Sequence, residues 1–225
     1  MQSKFQRWIS AAAILFFASW AHAQSTVHTA ASTGNYTSKV DYAACATGPC
    51  QNFTLAMGVS GSFTTASPLP ANLAGASIAA LVTSFSFSDG LTTYSSADPA
   101  TRIYLLQVTT DAAGAVTDAA VVISRWETGV SPHAVNDRTS LMVITGTSQG
   151  GHNYQCTALG TSPAGTADSC DLEVADGSAS RASGATVSWS SAAAATVPTL
   201  SEWSLILAAS ILGLAGLAAV RRRTL

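Results

Sequence analysis

Between Gln24 and about Ser190, hydrophobic residues recur with a period of two. Phe53, Leu55, Met57, Val59 and Phe63 fall on alternate positions, with Thr54, Ala56, Gly58, Ser60 and Ser62 between them. Phe85 and Phe87 alternate with Ser84, Ser86 and Ser88, Tyr104, Leu106 and Val108 form one face of 103–109, and Val187 and Trp189 repeat the pattern. Successive side chains of a strand point to opposite faces, so this alternation predicts half-buried strands with Ser and Thr on the wet side. Asp89-Gly90, Asp111-Ala112-Ala113-Gly114, Gln149-Gly150-Gly151 and Asp176-Gly177 punctuate the runs as turns. Residues 101–127 read as one hairpin, and 140–146 with 152–159 as a second, joined across the glycines. Pro68, Pro70 and Pro132 fall in connections, where a missing N–H does least harm. No amphipathic helix of three turns is predicted; Ala71–Leu81 comes nearest, and Gly75 with β-branched neighbours weakens it. The expected fold is all-β: one antiparallel β-sandwich of short strands over 24–190, long enough for a core, with no repeat of fixed period.

Both ends break this pattern. Residues 1–23 read as a secretory signal peptide: Lys4 and Arg7, an apolar run from Ile9 to Trp20, then Ala21-His22-Ala23, the small-x-small exit a signal peptidase accepts. Cleavage after Ala23 would leave Gln24 as the new N-terminus. At the other end, residues 203–220 carry no charge, at the lower limit for a transmembrane helix, and Arg221, Arg222 and Arg223 follow at once. A basic cluster beside a span prefers the cytoplasmic side, which agrees with export of the body by the signal peptide. Residues 191–196, small and uncharged, are expected to be a flexible linker.

Just before the span stand Val197, Pro198, Thr199, Leu200, Ser201, Glu202 and Trp203. A short Pro-containing motif, an apolar span and an arginine stop resemble the bacterial C-terminal sorting tails handled by exosortases, in their IPTL-CTERM variety. The usual core of that variety is Ile-Pro-Thr-Leu-Ser-Glu-Trp-Gly. Here Val197 and Ser204 replace its ends, and Pro198 to Trp203 match. The resemblance, over residues 197–225, implies a Gram-negative bacterium and an integral-membrane exosortase as transient partner at the inner membrane. It also implies removal of the tail, followed by release or re-anchoring at the cell surface; a permanent single-pass anchor is the alternative. Pro198 fixes its own φ and disfavours helix at Val197, so the chain reaches the span extended, the form a protease cleft grips. The body is similar to the β-rich exported domains that precede such tails, through 58–64 and 85–90.

Charge and cysteines narrow the body further. Charged residues are 10% of the 225-residue chain, and hydrophobic ones 48%, the opposite of a disordered composition. Residues 24–196 hold five basic against eleven acidic residues, a net −6 with no cationic cluster, so nucleic acid is excluded as a partner. Cys45, Cys50, Cys156 and Cys170 are an even set in an exported chain, which favours disulfides over metal. Three pairings are possible; Cys45–Cys50 and Cys156–Cys170 are favoured because each closes a local loop. No cofactor or metal is expected.

Candidate chemistry is thin. Gly146-Thr147-Ser148-Gln149-Gly150 fits G-x-S-x-G, but that elbow needs a helix after the Ser, and here another strand is predicted. His28, His133 and His152 share no metal-ligand spacing. Asp168, Asp171, Glu173 and Asp176 cluster around Cys170 without EF-hand order, and read as an acidic hairpin end. Tyr36, Tyr42, Tyr94, Tyr104, Trp126, Tyr154 and Trp189 are mostly expected in the core, although two or three on one sheet face would make a sugar platform. The leading expectation is an exported, non-enzymatic cell-surface or extracellular-matrix protein. A carbohydrate-binding module for envelope or exopolysaccharide sugars and a secreted hydrolase built on His133, Ser148 or the acidic cluster are the alternatives.

Overall fold

The computed structural model describes residues 24–193 and, in the tail, 207 and 209–211. The body is mostly β: twelve antiparallel strands form one large sheet that does not close on itself. In chain order they are β1 (Thr26–Gly34), β2 (Ser38–Val40), β3 (Ser60–Thr65), β4 (Ala76–Ser77), β5 (Val82–Ser88), β6 (Thr93–Ser95), β7 (Thr101–Thr110), β8 (Val116–Trp126), β9 (Arg138–Ile144), β10 (Ser148–Gly160), β11 (Ser169–Val174) and β12 (Ser180–Ala193). The spatial order is β4-β7-β8-β9-β10-β12-β1-β3-β5-β6, with β11 on β10 and β2 on β12. Ala71–Leu81 forms no α-helix; it holds β4 and a single 3₁₀ turn, Ala79–Leu81.

The expectation of two separate sheets is corrected by β12. Its first half pairs with β10 and β2, and its second half with β1, so one hydrogen-bonded ladder runs through both wings. Just before the change of partner, which falls between Ala185 and Thr186, the register skips Gly184. Gly184 has φ 92°, and a Cβ there would lie 2.0 Å from Thr37 Oγ1. Only glycine permits that bulge, and the bulge bends the strand. One core gathers both wings: Ala30, Phe63, Phe87 and Tyr94 from one, Leu106, Val108, Val121, Ile123, Met142 and Ile144 from the other. Each large side chain so enclosed contributes roughly 1.5–3 kcal/mol. β12 also reaches Ala193, three residues into the segment expected to be a linker.

The 101–127 hairpin is present as β7–β8, its turn held by Asp111 Oδ1 accepting from the Ala113 and Ala115 N–H groups at 2.8 and 2.9 Å. The second hairpin turns earlier than expected, at 145–147, because Gly150 and Gly151 lie inside β10. They serve close packing: a Cβ on Gly150 would stand 2.8 Å from both Phe53 Cε1 and Tyr36 Oη. The alternation at 53–59 is not a strand either. A turn bonds Met57 N–H to Thr54 O, leaving Leu55 exposed while Phe53 and Val59 are buried.

The tail is a separate unit, Ala194–Leu225. Leu207 and Ala209–Ile211 are helical, and Leu207 and Ile211 are exposed. Among the described residues no helix is long and apolar enough to cross a membrane. Most of the expected span 203–220 lies outside them, as do Ala21, Ala23, Val197 to Trp203 and Arg221 to Arg223.

Candidate functional site

The residues singled out in the sequence do not converge; the sheet distributes them over several places. Ser148 opens β10 with its side chain fully buried and its Oγ without a hydrogen-bond partner, and the chain continues from it as strand. It lacks the exposed turn and helix of a nucleophile elbow. His28 is buried against Phe63, with ring centroids 4.7 Å apart, and its nitrogens meet Ser191 Oγ at 2.9 Å and Thr65 Oγ1 at 3.3 Å. Burial lowers its pKa, because the charged ring would lose its hydration.

His152 joins a polar chain that the sequence did not reveal. Its Nδ1 lies 2.9 Å from Ser140 Oγ, which donates to Glu127 Oε1 at 2.7 Å. Its Nε2 faces the Pro49 carbonyl, which can only accept, so Nε2 carries a proton there. Arg125 ties Glu127 to Asp98, at 3.1 and 2.8 Å. His152, Glu127, Arg125 and Asp98 edge an open polar pocket of about 320 Å³ with Gln51, Thr92 and Thr93. Ser140 is fully buried, so the Ser–His–Glu order places no nucleophile in the open.

His133 and Asp168 meet on the outer face of the β7–β10 wing. Asp168 Oδ1 accepts the His133 backbone N–H and Oδ2 its ring Nδ1, both at 2.8 Å, and Arg102 adds a bond at 3.1 Å. The His133 ring stacks on Trp126 with centroids 4.2 Å apart, and Trp126 Nε1 donates to the Asp168 carbonyl at 3.0 Å. Burial alone would raise Asp168, but the His133 N–H and ring and the Ser131 hydroxyl outweigh it and hold the pKa at about 2. This knot pins loops 131–133 and 161–168 onto the sheet. Both Asp168 carboxylate oxygens, His133 Nδ1 and Trp126 Nε1 are all paired, which fits a structural anchor.

The rest of the acidic cluster divides. Asp176 bonds Arg138 at 2.7 Å, and this pair holds its pKa low. Asp171 and Glu173, on β11, line a cleft of about 210 Å³ with Tyr104, Val122, Ser124, Leu141 and Cys170. Tyr104 reaches it through a bulge: the register passes from Ile103 to Leu105, so Tyr104 is left unpaired and leaves the face of Leu106 and Val108. Its single-face assignment in the sequence is corrected accordingly. No group of three or more His, Cys, Asp or Glu residues able to hold a metal exists among the described residues.

Two disulfides are present. Cys45–Cys50 and Cys156–Cys170 each have Cα atoms 5.7 Å apart, and no cysteine is free. Cys156–Cys170 packs with Trp126 in a small second core that fastens the end of β11 above the sheet. Of the aromatic residues, Tyr36, Tyr94 and Trp126 are buried, and Tyr42, Tyr104, Tyr154 and Trp189 are half-buried.

Against this geometry, the comparison that decides is at the C-terminus, where residues 195–223 match the IPTL-CTERM motif. The chain ends in an IPTL-CTERM sorting motif. That motif implies an exported, surface-sorted protein processed by an exosortase-like system. No curated protein and no solved structure matches the chain.

Proposed function

We propose that the mature protein is a non-enzymatic component of the bacterial cell surface or extracellular matrix, delivered through its IPTL-CTERM tail. The match at 195–223 carries this reading. On it, the signal peptide starts export, the span and Arg221 to Arg223 hold the chain at the inner membrane, and an exosortase cuts near the motif. The body supports the reading in two ways. Its two disulfides suit an oxidising compartment. Its serine and histidine side chains with catalytic spacing are buried or spent on structural bonds, as Ser148, Ser140 and His28 illustrate. The bent sheet, with one core shared by both wings, serves on this reading as a sandwich-like spacer outside the membrane.

The carbohydrate reading would need exposed, coplanar aromatic rings on one sheet face. No Tyr or Trp among the described residues is fully exposed, so surface display is preferred.

Intact-mass measurement on protein recovered from its own cell tests the proposal. The mature form is expected to begin at Gln24, to lack residues beyond about Trp203, and to require a membrane exosortase. A full-length tail in the wild-type membrane would establish a permanent anchor instead. Replacing Pro198 with Ala is expected to slow processing several-fold, because the extended approach to the span is lost.

A further inference from the structure

The cleft between β11 and the outer face of β7–β9 holds an electrostatic anomaly. It is lined by Tyr104, Val122, Ser124 and Leu141 from the sheet and by Asp171 and Glu173 from β11. Glu173 Oε1 is fully enclosed and no protein group meets it in hydrogen-bond geometry; the Thr139 hydroxyl, also enclosed, lies near enough to act on the carboxyl's charge but has no partner in that geometry either. Leaving an enclosed carboxylate oxygen unpaired is among the more costly arrangements a protein tolerates. A native site that keeps one calls for an explanation, and a partner bound in the adjoining cleft is one.

We infer that this cleft is a binding site for a primary ammonium on an aliphatic stem. Glu173 would pair with the ammonium, Val122 and Leu141 would cover the methylenes, and Tyr104 would offer its ring. The Asp171 carboxylate at the rim and the net −6 of the body favour approach of a cation. A neutral apolar ligand would leave the carboxyl oxygen unpaired, and an anion would be repelled by both acids. The ligand chemistry is shared by a small free amine and by a lysyl side chain on another polypeptide.

Burial drives Glu173 up to about 7, with the nearby Thr139 hydroxyl pulling the other way. The other titratable groups around it are Asp171 on its own strand, Tyr104 on β7, Tyr94 on β6 and Tyr154 on β10, the last facing Arg181 of β12. A bound ammonium would stabilise the carboxylate and draw that pKa down, so affinity should climb as pH rises through it. Between pH 5.5 and 8 the gain is about thirtyfold, the ratio of ionised fractions.

The test titrates the protein purified from its producing cell with n-pentylamine, Nα-acetyl-lysinamide and n-pentanol, by calorimetry at constant ionic strength. The carboxyl ¹³C shift of Glu173 is followed in parallel. Expected are saturable amine binding at pH 8, at least tenfold weaker in Glu173→Gln, and a Glu173 titration shifted to lower pH by the amine. Binding of pentylamine alone assigns the site to small free amines, and binding of the lysinamide as well or alone assigns it to lysyl side chains. Equal binding of pentanol, undiminished binding in Glu173→Gln, no amine binding, or a carboxyl titration unmoved by amine would each overturn the inference. The carboxyl titration is made on the wild-type chain, so it decides the matter even if the variant does not fold.

Discussion

Asp89 and Glu173 are both enclosed carboxyl groups in one sheet, and the molecule treats them in opposite ways. Asp89, at the β5–β6 turn, accepts the Leu91 and Thr92 N–H groups at 2.9 and 2.6 Å and the Tyr94 hydroxyl at 2.8 Å. Its own carbonyl accepts from Tyr36 at 3.0 Å. Burial still raises its pKa, against the pull of these bonds and of His152, and burial raises Tyr94 as well. Glu173 has the burial with only the Thr139 hydroxyl beside it, and its Oε1 has no partner in hydrogen-bond geometry. A satisfied buried carboxyl organises the turn around it, whereas an unsatisfied one costs stability and marks a place where another molecule could complete it. Asp168 stands between them: it is partly open to solvent, fully paired, and held at about 2.

Substitutions at the three positions should separate these roles. Asp89→Ala is expected to have the largest effect, a loss of about 3–5 kcal/mol in urea unfolding, since it strands two backbone N–H groups and the Tyr94 hydroxyl. A loss under about 1 kcal/mol would erase the contrast with Glu173. Glu173→Gln should act in the opposite direction. Between pH 4.5 and about 7 the native state binds a proton that the unfolded chain has released, so stability falls as pH rises across that window. Removing the ionisable group should therefore stabilise the protein by about 3 kcal/mol at pH 8 and by almost nothing at pH 4. Equal melting temperatures for variant and wild type at pH 8 would show that the carboxyl is already paired. Asp168→Asn should cost about 2 kcal/mol at pH 6, the smallest change of the three. Its folded pKa is depressed, so its contribution is present above about pH 4 and lost as pH falls through about 2, where the two proteins should melt together.

Much of the fold was legible in the residue pattern, and the misreadings have identifiable causes. Period-two runs at Phe85–Phe87 and Leu106–Val108 are strands whose apolar face is in the core, and Asp111 to Gly114 make the turn between β7 and β8. The run at 53–59 keeps the same alternation without being a strand, because the backbone folds at Thr54–Met57. Gly150 and Gly151 looked like turn residues, yet they lie within β10 so that Tyr36, Phe53 and Tyr154 can press on the backbone. Neither outcome is encoded locally. Of the groups discussed as sites, Asp89 was visible only as part of a turn, and Glu173 only as one member of an acidic cluster. What separates the members of that cluster is which strand face each occupies and which distant partner it meets: Arg102 and His133 for Asp168, Arg138 for Asp176, none for Glu173 Oε1.

By itself the sequence determined the β character of the body, from its alternation, and the sorting class, from a contiguous motif that a membrane enzyme reads as linear chain. The tertiary structure alone decided that the two wings are one ladder passing through Gly184, and that Tyr104 leaves its face at a bulge. It also decided that one carboxyl among eleven acidic residues of the body is enclosed with an unpaired oxygen. The reason is the range of the forces involved. Strand alternation and sorting motifs are set by neighbours along the chain, whereas burial, register and pairing depend on residues tens of positions away brought together by the shared core.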